Sequence, residues 1–344
     1  MQRKPTLALA LAVPAVGILV AGCSGGGGGT GGDSGDGNVT LRVATSQPET
    51  QPNYYCGVEL LKERLEAADI GLTVELFPNS QLGPDTERLA SLQAGDEDVD
   101  LLGSGNLATI YEPMGVVEAA YAWDSVDALF TFLDGPDGDE LKANWEAASG
   151  TTAIDAWLYG VRTFSTVDAE IRSPEDLASV PIRFPDTPQY LANAEAMGAN
   201  AVTVSYEELY LALQQGIVKG QENPIPGSHT ASYDEIVNTF NLNNHQYSLH
   251  WVTVSNKTLD QMNDQQKELL TSTVKELRGE VLDCVNKDTE DLLAQYRDNP
   301  DMTVVEEDEI DLAAFRSKAE DYFSGYYTGE SLDLYTTIRE QSGN

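Results

Sequence analysis

Arg183 stands in SVPIRFPDTP (179–188), between Pro181 and Pro185 and flanked by the apolar Ile182 and Phe184. Prolines fix the backbone and remove amide donors, so this segment is extended and stiff. A guanidinium offers a planar fork of donors matched to a carboxylate, and it keeps its charge at physiological pH. The chemistry available at this position is therefore capture of an anion, with the fork held in place before the anion arrives. The internal alternative is a salt bridge to a nearby acid such as Asp186.

Other reactive patterns carry less. His229, His245 and His250 lack HExxH or paired-cysteine spacing, so no catalytic zinc is expected. Neither a GxSxG elbow nor a GxxxxGK[ST] loop occurs. GDSG (32–35) copies part of a serine-protease motif, but it lies in a glycine-rich leash that cannot position a histidine. The run Gly103-Ser104-Gly105-Asn106-Leu107-Ala108 imitates a dinucleotide fingerprint, yet it follows the third strand of its unit and meets Tyr111-Glu112-Pro113 soon after. Carboxylates abound, but nothing singles out a pair for glycoside hydrolysis. No cofactor and no catalysis are expected.

The chain has 344 residues, with 20 Lys plus Arg against 56 Asp plus Glu and a formal charge of −36. Such a surface repels nucleic acid and anionic headgroups, and it reads as a solvated acidic coat suited to a salty habitat. Arg3, Lys4, the apolar run Leu7–Val20 and then VAGC (20–23) have the layout of an export signal. VAGC resembles a lipobox, cut before Cys23 with its thiol acylated. Residues 1–22 are then a signal peptide, and 23–38 a Gly/Ser/Asp tether that holds the body at the outer face of the cell membrane. Stable anchoring needs more than one lipid chain. No later run is long and apolar enough to span a membrane. Cys56 and Cys284 remain, either as a disulfide or as two buried thiols, and both readings stay open.

The elements that must position Arg183 follow from periodicity. Residues 39–46, 71–79 and 98–105 read as strands, with helices over 54–68 and 83–94 between them: a parallel sheet with right-handed crossovers. A more helical stretch covers about 116–148. A second α/β unit opens near 170, with a short helix capped by Ser173, the extended PIRFP, a helix over 187–198, the strand AVTVS and a helix over 205–216 with a Ser205/Glu208 capping box. From Asn263 to about Asn299, Leu270, Val274, Leu277, Val281, Val285, Leu292 and Tyr296 keep a helical period over about 55 Å, long enough to bridge two lobes.

Taken together, LFPNSQLGPDTERLASLQAGDEDV (76–99), GVRTFSTVDAEIRSPEDLASVPIRFPDTPQY (160–190), AMGANAVTVSYEELYLALQQGIVKGQENP (196–224) and NNHQYSLHWVTVSNKTLDQMNDQQKELL (243–270) resemble the TRAP-transporter substrate-binding proteins of the DctP family. The resemblance runs from about residue 40 to the C-terminus. It implies an α/β fold of the periplasmic-binding-protein type II kind, with two lobes, each a sheet flanked by helices, joined by crossing strands and a long helix. One lobe comprises 39–161 with about 249–285, the other 162–248 with about 286–344. It implies a monomer that captures a small organic acid and delivers it to a sodium-driven permease with one small and one large membrane subunit. In the family the arginine matching Arg183 grips the ligand carboxylate, the one matching Arg162 supports it, the asparagine matching Asn223 lines the cleft, and the aromatic matching Tyr206 packs on the ligand. Lys219 departs from the pattern, where the family commonly has an aspartate. An ABC-importer receptor shares the export and two-lobe logic, but the long helix and the Arg183–Asn223 constellation argue against it. A secreted carboxylate-dependent hydrolase is the remaining alternative.

The acidic coat sets a kinetic expectation. Capture of an organic anion should be slowed by repulsion at low ionic strength, so the association rate should rise with salt. A stopped-flow rate that stays flat or falls as salt is added would contradict this.

Overall fold

The computed structural model describes residues 37–342. The export segment, Cys23 and the tether up to Asp36 lie outside them. Strand β1 (Val39–Thr45), helix α1 (Glu59–Ala67, entered through a π turn at Tyr54–Val58), β2 (Leu72–Phe77), α2 (Asp85–Ala94) and β3 (Val99–Gly103) make the first unit. Short helices α3 (Ser104–Leu107), α4 (Pro113–Val116) and α5 (Val126–Leu133), then α6 (Pro136–Ser149), lead into the 16-residue strand β4 (Thr151–Thr166). The second unit holds α7 (Pro174–Ala178), β5 (Pro181–Phe184), α8 (Pro188–Met197), β6 (Asn200–Thr203), α9 (Leu209–Gln214), β7 (Gly220–Pro224) and α10 (Ile225–Thr230). The 17-residue strand β8 (Thr239–Ser255) returns, followed by α11 (Asn256–Leu259), α12 (Asp264–Asp298), β9 (Thr303–Val305), α13 (Leu312–Tyr326) and α14 (Gly329–Gln341).

The described strands form one sheet in the order β2-β1-β3-β8-β4-β7-β5-β6, with β9 alongside β8. β1 runs parallel to β2 and β3, and β5 runs parallel to β6 and β7. The long strands β4 and β8 are antiparallel to each other and pass through both halves. Val99–Gly103 of β3 pairs with 250–254 of β8, while Arg162–Thr166 of β4 pairs with 220–224 of β7. Their mutual ladder slips in three places, between Ala153 and Asp155, Leu158 and Gly160, and Arg162 and Phe164. Such slips bend and twist a strand locally. Gly160 sits at the middle one with φ +143°, and a Cβ there would come within 2.5 Å of the Pro224 side chain, so only glycine fits.

Ser173 caps α7 as the sequence indicates, accepting from the Asp176 amide. Ser205 does not begin a helix. Residues 205–208 form a turn in which its hydroxyl meets the Glu208 carboxylate at 3.1 Å, and α9 opens only at Leu209. The long helix is present with 35 residues and an Asn263/Gln266 capping box. Its buried Leu270, Val274, Leu277, Val281 and Val285 belong to the main core, whereas Leu292 and Tyr296 belong to a second cluster, where Tyr296 stacks on Phe240 at 4.3 Å. One helix therefore joins two cores. Farther on, α13 packs against α8, and α14 packs against α4 and α5.

Cys56 and Cys284 are disulfide-bonded, tying the π turn before α1 to the middle of α12. The link closes a loop with a sequence separation of 228, and a long closed loop restricts the unfolded chain strongly. Replacing both cysteines by serine should cost about 2–5 kcal/mol and lower the thermal midpoint. Equal melting of the oxidised parent and the double variant would show that the link contributes nothing.

Candidate functional site

Between the two halves of the sheet lies a cleft of about 430 Å³. Arg183, Arg162, Asn223 and Tyr206 all line it, although they come from β5, β4, β7 and the turn after β6. Ser46 and Gln47, just past β1, and Asn106 of α3 also line it. At the rim the Ser80 hydroxyl donates to Glu207 at 2.9 Å, joining the loop after β2 to the turn before α9.

Arg183 is 3% exposed. The β5 ladder, Ile182 with Gly220 and Arg183 with Gln221, fixes its backbone. Its Nε donates to the Val204 carbonyl at 2.7 Å. Neither terminal nitrogen bonds to any described residue, and no described acid pairs with it; Asp186 lines the same cleft without doing so. Burial pulls its pKa below the ordinary guanidinium value. A buried cation with half its fork unused is costly unless something negative completes it.

Arg162 is also buried, but it is engaged. Its Nε and Nη2 grip the two carboxylate oxygens of Glu222, with Nη2 at 2.8 Å from Oε1. Burial opposes ionisation of Glu222, yet the Arg162 guanidinium outweighs it and holds the carboxyl below its usual range. His245 Nε2 lies 3.4 Å from the same carboxylate, and burial pushes that imidazole toward the neutral form. The Arg162 guanidinium also lies over the Tyr190 ring, 4.9 Å from its centroid. Glu222 is thus taken up by Arg162, and no described carboxylate neutralises Arg183 at contact.

The Asn223 amide nitrogen donates to Gln221 Oε1. Tyr206 stands with its hydroxyl buried and its ring edge-on to Tyr233, centroids 6.4 Å apart. Several lining groups escape sequence reasoning. His250 is stacked on Tyr159 at 4.4 Å, with its pKa pushed down to about 3 by burial, so the ring is neutral. Asp85, at the start of α2, accepts from Arg88 and Asn106, each at 2.9 Å. Arg88 in turn holds the buried Asp100 through Nε at 3.0 Å. Only the pattern of Pro84 followed by an acid at a helix start hinted at Asp85.

The model of the bacterial extracellular solute-binding protein family 7, DctP, matches residues 43–329. The chain belongs to that family. Among DctP relatives, the 2,3-diketo-L-gulonate-binding periplasmic protein YiaO of Escherichia coli is 28% identical over 218 residues, 63% of this chain and 65% of its own length, just under two thirds. A solute-binding protein of Roseobacter denitrificans is 26% identical over 288 residues, 82% of this chain and 85% of its own. The crystal structure of that protein with bound L-galactonate superposes with TM-score 0.80 at 22% identity, covering 88% of this chain and 98% of its own. A TRAP periplasmic solute-binding protein from Polaromonas bound to D-erythronate gives TM-score 0.81 at 22% identity over 88% of this chain and 98% of its own. The two-lobed α/β architecture with its long helix is the fold of these DctP-type structures.

Behind Arg88, Glu97 is 1% exposed, and both its carboxyl oxygens lack a donor among the described residues. Burial first, then the neighbouring Asp100, pushes its pKa up to about 9, so it stays protonated with Asp100 as its near acceptor. The unfolded chain ionises this group in the ordinary carboxylate range. Its contribution is therefore whole at pH 4 and is lost as pH climbs through 9. Glu97→Gln, which keeps a donor toward Asp100, should flatten that decline and be more stable than the parent by about 1–3 kcal/mol at pH 8.5, with little gain at pH 4.5. Parallel pH–stability curves for the two proteins would refute the assignment.

Proposed function

We propose that this chain is the extracytoplasmic receptor of a TRAP transporter, capturing a small organic acid between its lobes and delivering it to a sodium-driven permease of one small and one large membrane subunit. The lobes are 39–161 with about 249–285 and 162–248 with about 286–344. The carrying observation is Arg183, a buried cation whose two terminal nitrogens have no partner among the described residues. The ligand carboxylate supplies that partner through two charge-assisted bonds. Arg162, held by Glu222, braces the positive field, Asn223 offers a further polar contact, and Tyr206 packs against the ligand. The names of the relatives support this class, since YiaO is called a 2,3-diketo-L-gulonate-binding protein and two related structures hold L-galactonate and D-erythronate. Acylated Cys23 and the Gly/Ser/Asp tether keep the receptor at the outer face of the membrane beside its permease.

Removing one partner of a desolvated charge pair costs about 3–5 kcal/mol. At about 1.4 kcal/mol per decade, Arg183→Ala should weaken binding by two to three decades without loss of fold. Arg183→Lys should also bind poorly, because a point charge lacks the fork. The measurement is a thermal-shift screen across organic acids, then calorimetry of both variants with the best ligand. Near-parental affinity in either variant would overturn the role of Arg183.

A further inference from the structure

One carboxylate organises the wall behind Tyr190 and Ser248. Glu118, in the chain leaving α4, is 1% exposed and forms no ion pair with a described residue. It accepts five hydrogen bonds. The amides of Leu249 (2.9 Å) and Ser104 (3.4 Å) reach Oε1. Tyr190 Oη (3.1 Å), Ser248 Oγ (3.2 Å) and Gln246 Nε2 reach Oε2. Its main-chain carbonyl takes a sixth from Asn193 of α8 at 2.9 Å. These donors come from α3, β8 and α8, so Glu118 ties elements of both lobes to the crossing strand.

The consequence lies in proton direction. An ionised carboxylate only accepts, and a hydroxyl has one proton to give. Tyr190 and Ser248 each make their shorter contact to Glu118, 3.1 and 3.2 Å, against 3.4 Å between their own oxygens. Both protons turn away from the cleft, and both residues line it. They offer it lone pairs only. Gln47 adds to this face: its Nε2 donates to Ser46, and its buried Oε1 has no partner among the described residues. A ligand group lying here must donate.

We infer that this cleft reads hydroxyl groups on its ligand, with Glu118 as the positioning residue that fixes Tyr190 and Ser248 as acceptors, so that a hydroxylated monocarboxylate is preferred to its deoxy counterpart and to a dicarboxylate. The inference rests on the carboxylate reading of Arg183. The Tyr190 and Ser248 hydroxyls give no proton to a second carboxylate, itself acceptor-only, and a methylene leaves their buried lone pairs unmatched.

Calorimetry on the full chain tests it with matched probes: D-erythronate against butyrate, L-galactonate against hexanoate, and succinate alone. The parent should bind at least one hydroxy acid about tenfold or more tighter than its deoxy partner and than succinate. Tyr190→Phe and Ser248→Ala should each cut that ratio several-fold. Glu118→Gln should do the same, because a carboxamide donates and turns one hydroxyl proton back to the cleft. If Glu118→Gln melts early, the other two variants, which keep the carboxylate and its amide donors, carry the test. A parent that binds butyrate, hexanoate or succinate as tightly as the hydroxy acids, with dependence on Arg183, overturns this inference and leaves the carboxylate reading standing. Variants that weaken both members of a pair equally overturn it too. Binding of none of the five acids overturns both.

Discussion

A guanidinium taken out of water and left half-bonded is the constraint around which this structure is arranged. Arg183 has 56 acidic residues in its chain, yet none of those described pairs with it. The reason is local. Its strand is four residues long and is held between parallel neighbours, so the side chain cannot swing toward the acidic surface. The one wholly buried carboxylate in its vicinity, Glu222, is already claimed by both arms of Arg162 and approached by His245. An Arg–carboxylate fork is geometrically selective. Once Arg162 occupies it, Glu222 cannot also fold onto Arg183. The Arg162–Glu222 pair is thus what keeps Arg183 unspent.

The sheet explains how its two halves share one cleft. β4 carries β7 at one end and β8 carries β3 at the other, and the register slip at Leu158/Gly160 falls between those paired segments. β8 also carries a run of polar side chains into the interior, of which Ser248 lines the cleft. Asn241, Asn243, His245, Gln246 and Ser248 are all buried, and each has hydrogen-bond partners among the described residues. A satisfied polar network of this kind rigidifies what it connects. The bridging helix α12, cross-linked to the π turn through Cys284, contributes side chains to both cores.

Much of this was legible in the residues, and what was not has a physical cause. Strands β1 to β3 alternate or run apolar between turn residues; β5 is pinned by its prolines; α12 keeps its period for nine turns or so. β8 hides because its inward face is polar, so the hydrophobic pattern that marks a strand is missing over 241–248. Pairing of Cys56 with Cys284 needs their Cα atoms close together, 6.6 Å apart in the fold, which a sequence separation of 228 conceals. Arg183 was legible through its stiff, apolar frame. Glu222 and Glu118 were not, because in so acidic a chain nothing distinguishes a carboxylate that will be buried from one that will be solvated.

That last contrast bears on how an acidic protein handles an anion. The coat acts at long range and is screened by salt within about 10 Å at 0.1 M. The buried groups act at contact, where screening is weak and desolvation magnifies each pairing. Repulsion from the surface is therefore a kinetic matter, while on our proposal the fate of an anion inside the cleft is set by Arg183 and its few neighbours. Within that enclosure the charges also divide the labour. Guanidinium groups from β4 and β5 offer donors at one part of the wall, and Glu118, reached through Tyr190 and Ser248, turns another part into acceptors. A cleft polarised in this way distinguishes ligands by where their protons sit, which total charge alone cannot do.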